Sequence, residues 1–232
     1  MKTALDPTAS PKAVRIALDA VTLDGDLALP SDAAGLVLFA HGSGSSRHSP
    51  RNQYVAHILR EFGSGTFLFD LLTRQEEAQD AHTGELRFDI GLLAERLVAV
   101  TRWASRHAEM QHLRFGYFGS STGGAAALVD AASLGKMIDA VVSRGGRPDL
   151  AMEVLPRVTA ATLFIVGGCD DLVLRLNEQA FARLRCEKNL SIVAGATHLF
   201  EEPGALEQVA RLAAHWFQPH WKKIQPQKEG EV

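Results

Sequence analysis

The chain has 232 residues, 46% hydrophobic and 22% charged, and its 24 Lys plus Arg against 27 Asp plus Glu give a formal net charge of -3. That composition predicts a globular domain rather than a disordered chain, and the charge balance supplies no bulk attraction to nucleic acid or an anionic membrane, so neither is an expected partner. Cys169 and Cys186 are too few for a disulfide framework or a zinc cluster.

In chain order, Val14 to Leu18 and Asp26 to Leu29 read as two short strands around the turn-like L-D-G-D, paired as a hairpin. The apolar run Leu36 to Ala40 predicts a parallel strand covered on both faces. A polar loop, H-G-S-G-S-S-R-H-S-P, leads to a helix over 52–62 with its apolar residues on one stripe, stopped by Gly63 to Gly65. Thr66 to Leu72 is the next buried strand, and a polar connection from Thr73 to Arg87 leads to an amphipathic helix at about Phe88 to His107. Strands at 113–118, 138–142, 162–166 and 190–193 then alternate with helices at 121–133, 148–155, 174–184 and 205–217. This alternation predicts an α/β fold with a mainly parallel twisted sheet, an N-terminal antiparallel hairpin and helices on both faces. The 73–87 insertion is too short for a large cap domain, so residues 1–220 are expected to form a single domain followed by a polar, frayed tail at 221–232. The first ten residues lack the apolar core of a signal peptide and no run of about 18 apolar residues occurs, which predicts a cytoplasmic protein.

Ligands of an open parallel sheet bind beyond the carboxyl ends of its strands, so the residues that follow each strand carry the functional reading. These are His41-Gly-Ser-Gly-Ser-Ser46, Gly119-Ser-Ser-Thr-Gly-Gly124, Gly167-Gly-Cys-Asp-Asp171 and Ala194-Gly-Ala-Thr-His198. A serine, an acid and a histidine thus stand at three strand ends, in the order Ser, Asp, His. Gly119-x-Ser121-x-Gly123 fits the nucleophile elbow, in which small residues let a strained serine stand between strand and helix. No lysine follows Gly124, as a P-loop would require, and the glycine spacing is not that of a dinucleotide-binding turn.

With these four motifs in register along residues 14–217, the chain resembles an α/β-hydrolase of the dienelactone-hydrolase-like group. Dienelactone hydrolases proper use a cysteine at the elbow, where this chain has Ser121, so the resemblance points to the serine esterase members. It implies Ser121 as nucleophile, with Ser120 as a neighbour off the motif centre, and His198 as general base. It selects Asp170 over Asp171 as the acid that orients the imidazole, leaving Asp171 to cap the following helix. The backbone N–H groups of Ser43 and Thr122 would form the oxyanion hole, and His41 would brace that loop. Arg144 and Arg147 lie on the same edge and are candidates for binding a substrate carboxylate or phosphate. With Arg47 and Arg51, they also read as solvated loop arginines or ion pairs with Glu76 and Glu77. Cys169 reads as a packing residue.

The expected activity is hydrolysis of small carboxylic esters through an acyl-enzyme, with no cofactor and no metal. Thioester cleavage or acyl transfer on the same triad is the alternative, and a non-catalytic binding module the further one. The expected partner is a small-molecule ester, and the oligomeric state is open, a homodimer being compatible with the sequence.

Overall fold

The alternating apolar runs assemble into one sheet of eight strands, in a computed structural model that describes residues 9–221. The strands are β1 (Lys12–Ala17), β2 (Thr22–Ala28), β3 (Gly35–Ala40), β4 (Gly65–Phe69), β5 (Arg114–Ser120), β6 (Ile138–Arg144), β7 (Ala161–Gly167) and β8 (Lys188–Val193). Their order is β1-β2-β4-β3-β5-β6-β7-β8. β1, β2 and β4 pair antiparallel, and every pair from β4 to β8 is parallel. The chain runs from β3 outward to β4 and then returns to the other side of β3 as β5, so the loops after β3 and β5 diverge at the point where ligands bind in such sheets.

Six helices are described: α1 (Pro50–Glu61), α2 (Arg74–Thr83), α3 (Ile90–Arg106), α4 (Thr122–Leu134), α5 (Asp171–Arg183) and α6 (Ala205–His220). The inner strands β3 to β7 are covered on both faces, and this explains their apolar runs. One core joins Leu36, Leu38, Tyr117, Val141 and Phe164 to α3 and α4. The other joins Val37, Phe39, Phe118, Val142 and Ile165 to α1 and α6.

The structure departs from the sequence reading in four places. The hairpin turn lies at Asp19-Ala20, closed by Leu18 N–H to Val21 C=O at 2.9 Å, so L-D-G-D is inside β2. The polar connection contains α2, which buries only Asp80 and thus has no apolar stripe to betray it. It is held by a capping box between Thr73 and Glu76, by Glu76 to Arg96 at 2.7 Å, and by Asp80 beneath Arg87. The segment 148–155 forms only short 3-10 turns at Pro148–Ala151 and Leu155–Arg157, because Pro156 lacks an N–H and disfavours a helical Leu155. Trp221 is buried, stacked on Phe217 at 5.3 Å, with its indole N–H on Ser64 Oγ at 2.8 Å, so the chain is anchored where the tail was expected to begin. The rest of that tail lies outside the described residues.

Candidate active site

β5 enters the site buried from Phe115 to Ser120 and turns into α4 at one residue. Ser121 has φ 50 and ψ -122, a backbone geometry rare for a residue with a side chain. The turn closes because its flanks are glycine: a Cβ on Gly119 would stand 2.6 Å from Gly123 C=O, and one on Gly123 would stand 2.1 Å from Ala40 C=O. Ser121 N–H reaches Arg144 C=O at 3.3 Å, and Ser121 C=O accepts Arg147 N–H at 3.1 Å. The residue is thus clamped against the loop after β6. Ser120 is buried behind it, while Ser121 is half-buried.

The acid and the histidine come from adjoining strands. Gly168 N–H donates to Val193 C=O at 2.8 Å and Cys169 N–H to Ala196 C=O at 2.9 Å, which joins the loops after β7 and β8. On this base Asp170 Oδ2 sits 2.7 Å from His198 Nδ1. The other carboxylate oxygen, Oδ1, accepts the N–H of Val173 at 3.5 Å and caps α5. The capping role therefore belongs to Asp170 and not, as expected, to Asp171, the first residue of α5. A carboxylate on Nδ1 fixes the imidazole tautomer and leaves Nε2 as the acceptor nitrogen. His198 rests over Gly145, whose hypothetical Cβ would lie 3.5 Å from the ring. No hydrogen bond joins Ser121 Oγ to His198 in this conformation; such bonds commonly tighten only on substrate binding.

The loop after β3 crosses beside the elbow. Gly42 leaves no more room than a hydrogen needs: a Cβ there would be 3.0 Å from that of Ser121. Ser43 N–H donates to Thr122 Oγ1 at 3.0 Å, and the two hydroxyls are 2.9 Å apart. The two candidate oxyanion residues are therefore adjacent, with the Thr122 hydroxyl occupying the Ser43 donor. His41 is buried, accepts Leu71 N–H on Nε2 at 3.1 Å and contacts Gly42 C=O through Nδ1 at 3.1 Å. Burial lowers its pKa, which suits a neutral brace for this loop.

The arginines differ sharply in their surroundings. Arg147 forks onto Asp149, Nε to Oδ1 and Nη2 to Oδ2, both at 2.8 Å, so its guanidinium is committed to its own loop. Arg47 pairs with Asp70 and Asp26, and Arg51 with Glu201 at 3.0 Å. None pairs with Glu76 or Glu77. Arg144 is buried and makes no ion pair among the described residues, and burial followed by the charge of Arg51 lowers it to about 10. Two groups went unmarked in the sequence. Arg87 and Asp80 form one wall of a cleft of about 530 Å³ beside the Ser43 loop, also lined by Ser45, His48 and Glu77. Ser121 and His198 are not on its wall, so it adjoins the elbow without containing it. Among the described residues, no three His, Cys, Asp or Glu side chains are grouped as a metal site requires.

Comparison with known proteins bears on the family and the fold. A crystal structure of a dienelactone hydrolase from Anabaena variabilis is 54% identical, covers 93% of this chain and 98% of its own, and superposes with a TM-score of 0.89. Est1E from Butyrivibrio proteoclasticus shares the fold at 16% identity, with a TM-score of 0.77 over 91% of this chain and 99% of its own. A Mycobacterium tuberculosis protein carrying the provisional name phosphoribosyl transferase is 52% identical over 217 residues. That match takes in 94% of this chain but 48% of the relative, so the chain spans about half the length of the curated relatives it matches. The model of the dienelactone hydrolase family matches residues 23–222, taking in the elbow, the acid loop and the histidine loop, and the chain belongs to that family.

Proposed function

We propose that this family member is a serine hydrolase that cleaves small carboxylic esters through an acyl-enzyme intermediate. The observation that carries the reading is the strained Ser121 on the same sheet edge as an Asp170–His198 pair held at 2.7 Å. Ser121 Oγ attacks the ester carbonyl while His198 Nε2 takes its proton, and the same imidazole returns that proton to the departing alkoxide. Asp170 stabilises the imidazolium that forms in between. The carbonyl oxygen, now an oxyanion, is received by the N–H groups of Thr122 and Ser43 as it displaces the Thr122 hydroxyl. A water activated by His198 then releases the acyl group. This chemistry needs no cofactor.

The set of groups performs acyl chemistry, so we carry the hydrolase reading to this chain rather than the transferase name of its longer relative. The two cysteines, both unpaired, suit the reducing cytoplasm; among the described residues no helix is long and apolar enough to cross a membrane. The test is turnover of 4-nitrophenyl acetate, which Ser121→Ala is expected to lower by roughly 10³-fold or more. A fluorophosphonate probe is expected to label wild type at Ser121. Equal turnover in the two proteins, or labelling elsewhere, refutes the assignment.

A further inference from the structure

Asn177 lies in the second turn of α5 and is fully buried. Its Nδ2 donates to Val173 C=O at 2.8 Å, one turn back on its own helix, and to Gly146 C=O at 3.0 Å in the loop after β6. Gly146 C=O and Arg147 N–H belong to one peptide unit, and that N–H donates to Ser121 C=O at 3.1 Å. A chain of hydrogen bonds thus runs from the Asn177 amide, through a single peptide plane, to the backbone of the candidate nucleophile. The N-terminus of the same helix is capped by Asp170, which holds His198 at 2.7 Å.

The peptide between Gly146 and Arg147 needs a hold of this kind. Two glycines precede it, Gly145 at φ 51 and Gly146, so no Cβ on that side restricts how its plane turns. Turning it over would break both bonds at once and bring its carbonyl toward that of Ser121, two acceptors face to face. Ser121 itself sits at φ 50 and ψ -122, a conformation kept only where the surroundings enforce it. The loop is wedged as well as bonded: a Cβ on Gly146 would lie 1.9 Å from Ser143 Oγ, and one on Gly124 of α4 would lie 3.1 Å from Gly146 Cα. Asn177 Oδ1 is buried and finds no donor among the described residues, which is unfavourable, so what the amide contributes lies in the two bonds of Nδ2.

We propose that Asn177 is a positioning residue: it locks the Gly146–Arg147 peptide and through it holds Ser121 in register with the Asp170–His198 pair. The inference rests on the esterase reading and adds to it the part that sets the geometry of the serine. The imidazole rests over Gly145, in the same loop, so both reacting groups take their position from the segment that Asn177 fixes. Without the lock the 145–147 backbone turns, the Ser121 conformation relaxes and its Oγ leaves the line of attack. Attack on the ester and release of the acyl group both need that Oγ in one place, so turnover suffers and ester binding does not.

The experiment compares wild type, Asn177→Leu and Asn177→Asp by turnover of 4-nitrophenyl acetate and by backbone amide exchange followed by nuclear magnetic resonance. Asn177→Leu keeps the shape of the side chain and removes the donor. It is expected to lower kcat on the order of tenfold to a hundredfold with KM within about twofold. Exchange of the Arg147 amide is expected to quicken by about tenfold or more, while the amides of β5 keep their protection. Asn177→Asp has a donor only while its carboxyl is protonated, and burial raises that carboxyl. Its kcat relative to wild type is expected to be near unity at about pH 5 and to fall as pH rises toward about 8, a profile that a space-filling residue does not produce. Should Asn177→Leu fail to fold, the Asn177→Asp ratio and its Arg147 exchange decide alone. Arg147 exchange that neither substitution changes overturns the lock, whether or not an ester is cleaved. Wild-type turnover with an equal kcat in folded Asn177→Leu and a flat Asn177→Asp ratio overturns the positioning role and leaves the esterase reading intact. If wild type cleaves no ester, the esterase reading fails, and faster Arg147 exchange in the variants sustains the lock on its own.

Discussion

In the proposed mechanism, the side chain of Thr122 opposes the reaction its backbone would serve. Its hydroxyl accepts the Ser43 N–H at 3.0 Å, so in the proposed mechanism the oxyanion must displace a hydrogen bond of about 1 kcal/mol. Thr122→Ala removes the competitor without touching either backbone donor. It is expected to raise kcat/KM for 4-nitrophenyl acetate by about fivefold, and a fall would mean that the hydroxyl instead holds the Ser43 loop in place. At this scale the sequence was informative where spacing encodes geometry: Gly119-x-Ser121-x-Gly123 requires a central residue at positive φ, and Ser121 has it. It offered both arginines of R-G-G-R as candidate anion binders and could not tell them apart. Arg144 and Arg147 differ only in what surrounds them: Asp149 neutralises one, and strand parity buries the other. Neither fact is local to the motif.

The elbow depends on an element-level contact, the packing of the first turn of α4 against the end of β3. A methyl at Gly123 would meet Ala40 C=O at 2.1 Å and His41 C=O at 2.5 Å, both backbone atoms that cannot rotate aside. Gly123→Ala is therefore expected to cost about 3 kcal/mol or more, seen as a fall in Tm of roughly 6–12 °C. An unchanged Tm would mean that α4 can slide along the sheet. Elements with an apolar stripe were legible: α3 was expected at about 88–107 and spans Ile90–Arg106. α2 was not, since charge pairs and a capping box hold it and the hydrophobic pattern carries no trace of those. The box itself, Thr73-x-x-Glu76, was readable and marks where a polar insertion turns helical.

For the molecule as a whole, the apolar runs announced a sheet covered on both faces, while the order of its strands is set by long-range packing that no local pattern records. The same packing buries Asp130 of α4 completely, beside Tyr117, whose hydroxyl bonds Thr101 at 2.6 Å. Burial pushes the Asp130 carboxyl up to about 7, against smaller opposing effects of Tyr117 and Arg102. The folded chain then keeps a proton that the unfolded chain releases near pH 4. Stability is expected to fall as pH rises from about 4 to 7 and to level off above, by on the order of 4 kcal/mol in all. Asp130→Asn should flatten that part of the profile and melt above wild type at pH 8, and parallel curves for the two proteins would refute the burial argument. The loops after β7 and β8 are cross-linked by backbone hydrogen bonds and carry Asp170 and His198 together, whereas Ser121 is clamped to the 144–147 loop. The Asp170–His198 pair and Ser121 thus belong to two separately braced sets of loops. They meet at Gly145, whose N–H is tied to Ile165 C=O at 2.7 Å and over which the imidazole rests. In the proposed mechanism the gap the proton would cross is therefore a mechanical quantity, gauged by the thickness of one glycine.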